Sequence, residues 1–203
     1  MAGARNVRDS KLIDALEEAD AEPFEGSIWR VVRENKDPCL CGSPGGRWDD
    51  RTFDVLYTAT ERDGAIAEMY FHLSRGQPVI PSRIRYKTFE LSISLSRLLT
   101  LPTLDQLAKL GFDVSNFGQL SYDDKEQEYP RAQDIAETAH FLEYDGILIP
   151  SARWNCTNMV VFCDRLPAGA IEVIKDHGFI DWSAWKREHP VPERPKSIRS
   201  ING

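Results

Sequence analysis

Leu12, Ile13 and Leu16 follow Ser10 at helical spacing, so the chain is expected to open with a short amphipathic helix over residues 10–20, with Ser10 as its N-cap. The period then changes to two. In "GSIWRVV", Ile28, Arg30 and Val32 fall on one face of a strand and Trp29 and Val31 on the other, which leaves Arg30 as a cation on a mostly apolar element. Residues 33–54 are rich in Gly, Pro, Asn and Asp and read as a long loop, a feature that in a compact domain is usually either functional or disordered. "VLYTA" at 55–59 favours β-structure, and "ERDGAIAEMYFHL" after it favours helix. Phe89, Leu91, Ile93 and Leu95 alternate with polar residues and predict a strand over 88–95. A helix at 103–110 stops at Gly111, and 112–129 reads as an exposed, turn-rich excursion. Pro130 suits the first turn of a helix running to Gly146. Three short β-rich runs follow, "ILIPSA", "NMVVFCD" and "AIEVI", before a proline-rich and charged tail from Lys186.

This order of elements predicts an α+β or mixed α/β fold. At 203 residues, with no internal repeat and no dividing linker, the chain is expected to form one domain over 1–185 and a flexible basic tail over 186–203. The composition, 41% hydrophobic and 28% charged, is that of an ordinary globular protein. No apolar run reaches the roughly 20 residues that cross a bilayer, and the first residues lack the apolar stretch of a secretory signal. A cytoplasmic protein with no membrane contact is therefore expected. A net charge of -7 argues against broad attraction to nucleic acid, so an anionic ligand would have to be bound locally. The cysteines Cys39, Cys41, Cys156 and Cys163 are expected as reduced thiols, and "CLC" lacks zinc-knuckle spacing, so no metal is expected.

Glu68 and His72 are the polar breaks in a helix whose remaining positions from 65 to 73 are apolar. A helix of that kind is buried, and a buried carboxylate needs a cationic neighbour or a function; a simple pairing of Glu68 with His72 four residues on is the alternative. Arg47 follows two glycines in "GGRWDD". There a guanidinium can hold phosphate or carboxylate in two-pronged fashion beside a backbone open to close approach, or it can pair with Asp49 or Asp50 and stack on Trp48. Tyr57 lies inside a β-run, and Ser151 lies just past an apolar strand but outside any nucleophile-elbow motif.

Taken in order, "IWRVV", "GGRWDD", "VLYTAT", "GAIAEMYFHL", "YDGILIPSARW" and "NMVVFCD" resemble the RES domain family over about residues 25–165. The resemblance implies a fold similar to ADP-ribosyltransferase toxins and an NAD-degrading toxin held in check by a separate Xre-type antitoxin. It carries over Arg47, Tyr57, Glu68 and Ser151 as catalytic residues, with Arg30 and Asn158 joining Arg47 and Tyr57 in binding NAD, here a substrate. NAD glycohydrolysis or phosphorolysis is the leading expectation. Mono-ADP-ribosylation of a protein acceptor and non-catalytic nucleotide binding are the alternatives, and self-association stays open.

Overall fold

The computed structural model describes residues 8–74, 84–115, 117–118 and 125–189, side chains of 125–128 excepted. Its centre is a sheet that closes on itself. Strands β1 (Ala21–Arg33), β2 (Val55–Ala59), β3 (Tyr86–Thr100), β4 (Gly146–Pro150) and β5 (Thr157–Phe162) are joined in the circuit β1-β2-β5-β4-β3 and back to β1. All contacts in that circuit are antiparallel except β3 with β4. β6 (Ile171–Phe179) pairs with β3 along Lys87 to Ile93, below the stretch where β3 meets β4. The mixed α/β expectation therefore holds, with a barrel at its core. Both long strands exceed the stretches read from the sequence. β1 begins at Ala21 because it runs beside β3 from Ala21↔Leu99 to Arg33↔Tyr86, and that pairing carries polar residues that local alternation does not mark as strand.

Helices α1 (Ser10–Glu17), α2 (Arg62–Ser74), α3 (Leu104–Lys109), α4 (Lys125–Phe141) and α5 (Trp182–Glu188) cover the barrel. Asp9, not Ser10, caps α1, its Oδ1 accepting from Lys11 N at 3.0 Å. α1 buries Leu12 and Leu16 against α4, and Tyr144 Oη donates to the Leu16 carbonyl at 2.6 Å, so this helix is integral to the core. α4 starts at Lys125 and takes Pro130 into its interior, an earlier start than the proline suggests. The excursion at 112–129 is likewise only partly exposed, since Phe112 is buried and stacks on Trp48 at 6.0 Å. At the other end Lys186 and Arg187 belong to α5, whose Trp185 is buried; residues 190–203 of the expected tail lie outside the described residues. Among the described residues no helix is long and apolar enough to cross a membrane.

The cysteines depart from expectation at one pair. Cys41 and Cys163 form a disulfide, tying the 34–54 loop to the end of β5, while Cys39 and Cys156 are free. The two partners lie 122 residues apart in sequence, a separation that no local spacing reveals. A cross-link closing so long a loop stabilises mainly by restricting the unfolded chain, by about 2–4 kcal/mol. Urea unfolding of the Cys41→Ser, Cys163→Ser protein is expected to give a stability lower by that amount, insensitive to added reductant. A parent protein equally insensitive to reductant would show that the bridge contributes nothing.

Candidate active site

Glu68 lies midway along α2, a helix whose first half, Gly64 to Ala67, is buried against the barrel. The later part is less enclosed than an all-round apolar helix suggests, because Glu68, Met69 and His72 form one wall of a cavity of about 460 Å³. Glu68 Oε1 accepts from Ser151 Oγ at 2.7 Å and from Asn158 Nδ2 at 2.8 Å. Ser151 stands just beyond β4, and its oxygen also accepts the main-chain N–H groups of Arg153 and Trp154, at 3.1 and 3.2 Å. Asn158 stands near the start of β5, where it lies between Ala59 and Ile149 in register. The carboxylate is thus steered through one oxygen by donors from two other elements, a way of fixing an anion that two donors make stronger than one.

The "GGRWDD" loop is built around Asp49, which is fully buried. Its Oδ1 accepts from Gly45 N at 2.6 Å and its Oδ2 from Gly46 N at 2.7 Å. Tyr57 Oη donates to Oδ2 at 2.8 Å and accepts from Trp48 N at 3.0 Å. Burial, with Asp49 alongside, pushes the Tyr57 hydroxyl well above its usual range, so it remains a donor. From α4, Gln133 Nε2 closes the back of the loop onto the carbonyls of Gly46 and Asp49. The glycine pair serves this packing. Gly45 has φ +74°, and a Cβ on Gly46 would come within 2.5 Å of Tyr57 Oη. Asp50 has a separate task, accepting from Thr52 N and Oγ1 at 2.9 and 2.5 Å.

Held on this frame, Arg47 reaches the cavity and places its guanidinium carbon 5.2 Å from the centre of the Phe117 ring. Arg30 lines the same cavity from β1, but its Nη1 also donates to the carbonyls of Pro38 and Leu40 at 2.7 and 2.9 Å. It therefore anchors the long loop as well as facing the cavity, and burial lowers its pKa to about 10. Of the residues singled out in the sequence, Arg30, Arg47, Tyr57, Glu68 and Asn158 line the cavity, and Ser151 joins them through Glu68. Sequence reasoning missed Gln133 behind the loop, and Arg153, a further cavity cation whose guanidinium lies 4.6 Å from the Phe71 ring centre and donates to the Gly118 carbonyl. Arg153 stands two residues after Ser151, and that nearness to a candidate was the available signal. Among the described residues no three His, Cys, Asp or Glu side chains gather as a metal would require.

Fold and site together define a mixed α/β fold with a β-barrel at its core in which, among the described residues, one carboxylate, Glu68, lines a cleft together with three arginines. The RES domain profile matches residues 27–183, and the chain belongs to that family. A chain of the crystal structure of the M. tuberculosis MbcT–MbcA toxin–antitoxin complex has the same fold, with a TM-score of 0.71 and 17% identity over 88% of this chain and 97% of that one. No curated protein matches the sequence.

Proposed function

We infer that this chain is a toxin-like enzyme that cleaves the bond between nicotinamide and ribose in NAD, and that a separate antitoxin protein neutralises it. The observation that carries the reading is the pairing of one oriented carboxylate, Glu68, with Arg30, Arg47 and Arg153 around a single cavity. NAD has the complementary charges, a cationic pyridinium at one end and an anionic pyrophosphate in the middle. The cavity, at about 460 Å³, falls within the range that encloses small ligands.

In this reading the arginines hold the pyrophosphate through charge-assisted hydrogen bonds, with Arg47 foremost. The ring of Tyr57 lies along the cavity wall beside the nicotinamide. The glycosidic C–N bond breaks with its electron pair passing to the pyridinium nitrogen, and nicotinamide leaves neutral. The ribose carbon left behind has oxocarbenium character, which Glu68 stabilises electrostatically. An oxygen of water or phosphate then bonds to that carbon and the acceptor loses its proton. No acid is needed to protonate the leaving group, so one carboxylate suffices. Membership of the RES domain family and the fold shared with a toxin–antitoxin complex support the toxin role.

The test is to incubate the purified protein with NAD, with and without phosphate, and identify every product by mass spectrometry. Free nicotinamide with ADP-ribose, or with a phosphorylated ADP-ribose when phosphate is present, is the expected result. Mass added to a protein acceptor would replace this reading with transfer. Saturable binding of NAD with no turnover would reduce the site to a nucleotide-binding module.

A further inference from the structure

The pairing of Glu68 with Ser151 joins two elements, α2 and the turn at 151–156, that are far apart in the chain, and Trp185 of α5 touches a residue of each. Trp182 and Trp185, at i and i+3, share one side of α5, and His189 follows as its C-cap. Asp181 starts the helix, its Oδ1 accepting from Ser183 N and Ala184 N at 3.0 and 2.9 Å. Trp185 is only 5% exposed. Its Nε1 donates to Asp63 Oδ1 at 2.8 Å, and His189 Nε2 stands 3.8 Å from Asp63 Oδ2. Asp63 is in the first turn of α2, five residues before Glu68.

The same two rings meet the other element. Trp154 packs on Trp185 with ring centres 5.9 Å apart and on His189 at 5.2 Å. The main-chain N–H of Trp154 is one of those that hold Ser151 Oγ. α2 and the turn also approach closely at Gly64, where a Cβ would come within 2.4 Å of Cys156 Sγ. The two elements thus touch directly at Gly64 and Cys156, and are bridged by α5 through Asp63 and Trp154. A shift of α5 would change how far Glu68 stands from Ser151 without touching Arg30 or Arg47, which line the cavity from other elements.

We propose that α5 is a clamp that sets the distance between α2 and the 151–156 turn, with Asp63, Trp185 and His189 as positioning residues for Glu68. This rests on the reading of Glu68 as the group that acts on NAD. Displacing a catalytic group by about 1 Å through a distant change lowers turnover by as much as 10²-fold. Trp185→Phe, which keeps an aromatic ring but removes the donor to Asp63, is expected to lower kcat for NAD by about 10-fold, and Trp185→Ala by up to about 10²-fold. KM should change less than kcat, since Arg30 and Arg47, which stand on other elements, are not moved and only Arg153 lies in the turn.

In a Ser151→Ala background the Trp185→Phe change should add little, because the bond it positions is already gone. Hydrogen exchange supplies a readout that needs no turnover. The amides of Arg153 and Trp154 should exchange faster in Trp185→Phe and in Asp63→Ala than in the parent, while those of β2 and β5 are unchanged. Independent, multiplying losses in the double variant, or a rise in KM with kcat preserved, would overturn the clamp. Unchanged exchange at Arg153 and Trp154 would also overturn it. If the parent protein does not consume NAD, the functional reading fails and the exchange experiment still decides whether α5 holds the turn.

Discussion

Replacing Glu68 by Gln is expected to slow the release of nicotinamide from NAD by roughly two to three orders of magnitude, the loss typical of removing one preorganised electrostatic stabiliser. The substitution is close to isosteric. The carboxamide oxygen can accept from Ser151 Oγ and Asn158 Nδ2 as Oε1 does at 2.7 and 2.8 Å, so the side chain can keep its place. What it loses is the negative charge beside the ribose carbon as that carbon becomes cationic. Because the charge matters most in the transition state, kcat should carry the loss and KM should change little. Single-turnover release of nicotinamide with excess enzyme is the measurement, with calorimetry checking that NAD still binds. A variant that releases nicotinamide at the parental rate would remove Glu68 from the mechanism. Expression of the active protein without an antitoxin should arrest growth, and Glu68→Gln should relieve that arrest.

Glu68 was visible in the sequence because it breaks an apolar helix, and Arg47 because it follows two glycines. In each case a local pattern marks a residue that local packing does not explain. Their partners were harder to see. Ser151 and Asn158 reach Glu68 from 83 and 90 residues away, and only the β4–β5 pairing, which sets Ile149 opposite Asn158, brings them to one end of the barrel. Closure of the sheet depends on the long pairing of β1 with β3, a register that alternation within either strand does not specify. The disulfide and the buttress from α5 arise in the same way, from contacts across the chain. Pro130 shows the opposite limit. Its preference for a first turn is a propensity, and the surrounding helix overrides it by starting at Lys125. The glycines of the 45–49 loop read in the sequence as admitting a ligand close to the backbone; the groups that approach Gly46 are Tyr57 and Asp49 of the protein itself.

That arrangement makes Asp49→Asn the most destabilising single change expected around the site, at about 3 kcal/mol. The two oxygens of Asp49 accept from three donors, Gly45 N, Gly46 N and Tyr57 Oη. Asparagine has one oxygen, so either orientation turns its NH₂ group toward a main-chain N–H, at a side chain that is fully buried. At least one charge-assisted bond is lost and a buried donor is left facing another donor. Gln133 still holds the far side of the loop through the carbonyls of Gly46 and Asp49, so the fold should survive with the loop loosened. Arg47 rides on this loop, and its displacement should raise KM for NAD by about 10-fold, equivalent to one broken phosphate contact of roughly 1.4 kcal/mol. The neighbouring Asp50 provides the control, since its bonds to Thr52 are solvent-exposed and Asp50→Asn should cost less than about 0.5 kcal/mol. Urea denaturation of the two variants beside the parent, with KM measured on each, separates a buried loop anchor from an ordinary surface carboxylate. Equal effects of the two substitutions would show that Asp49 does not organise the loop that carries Arg47.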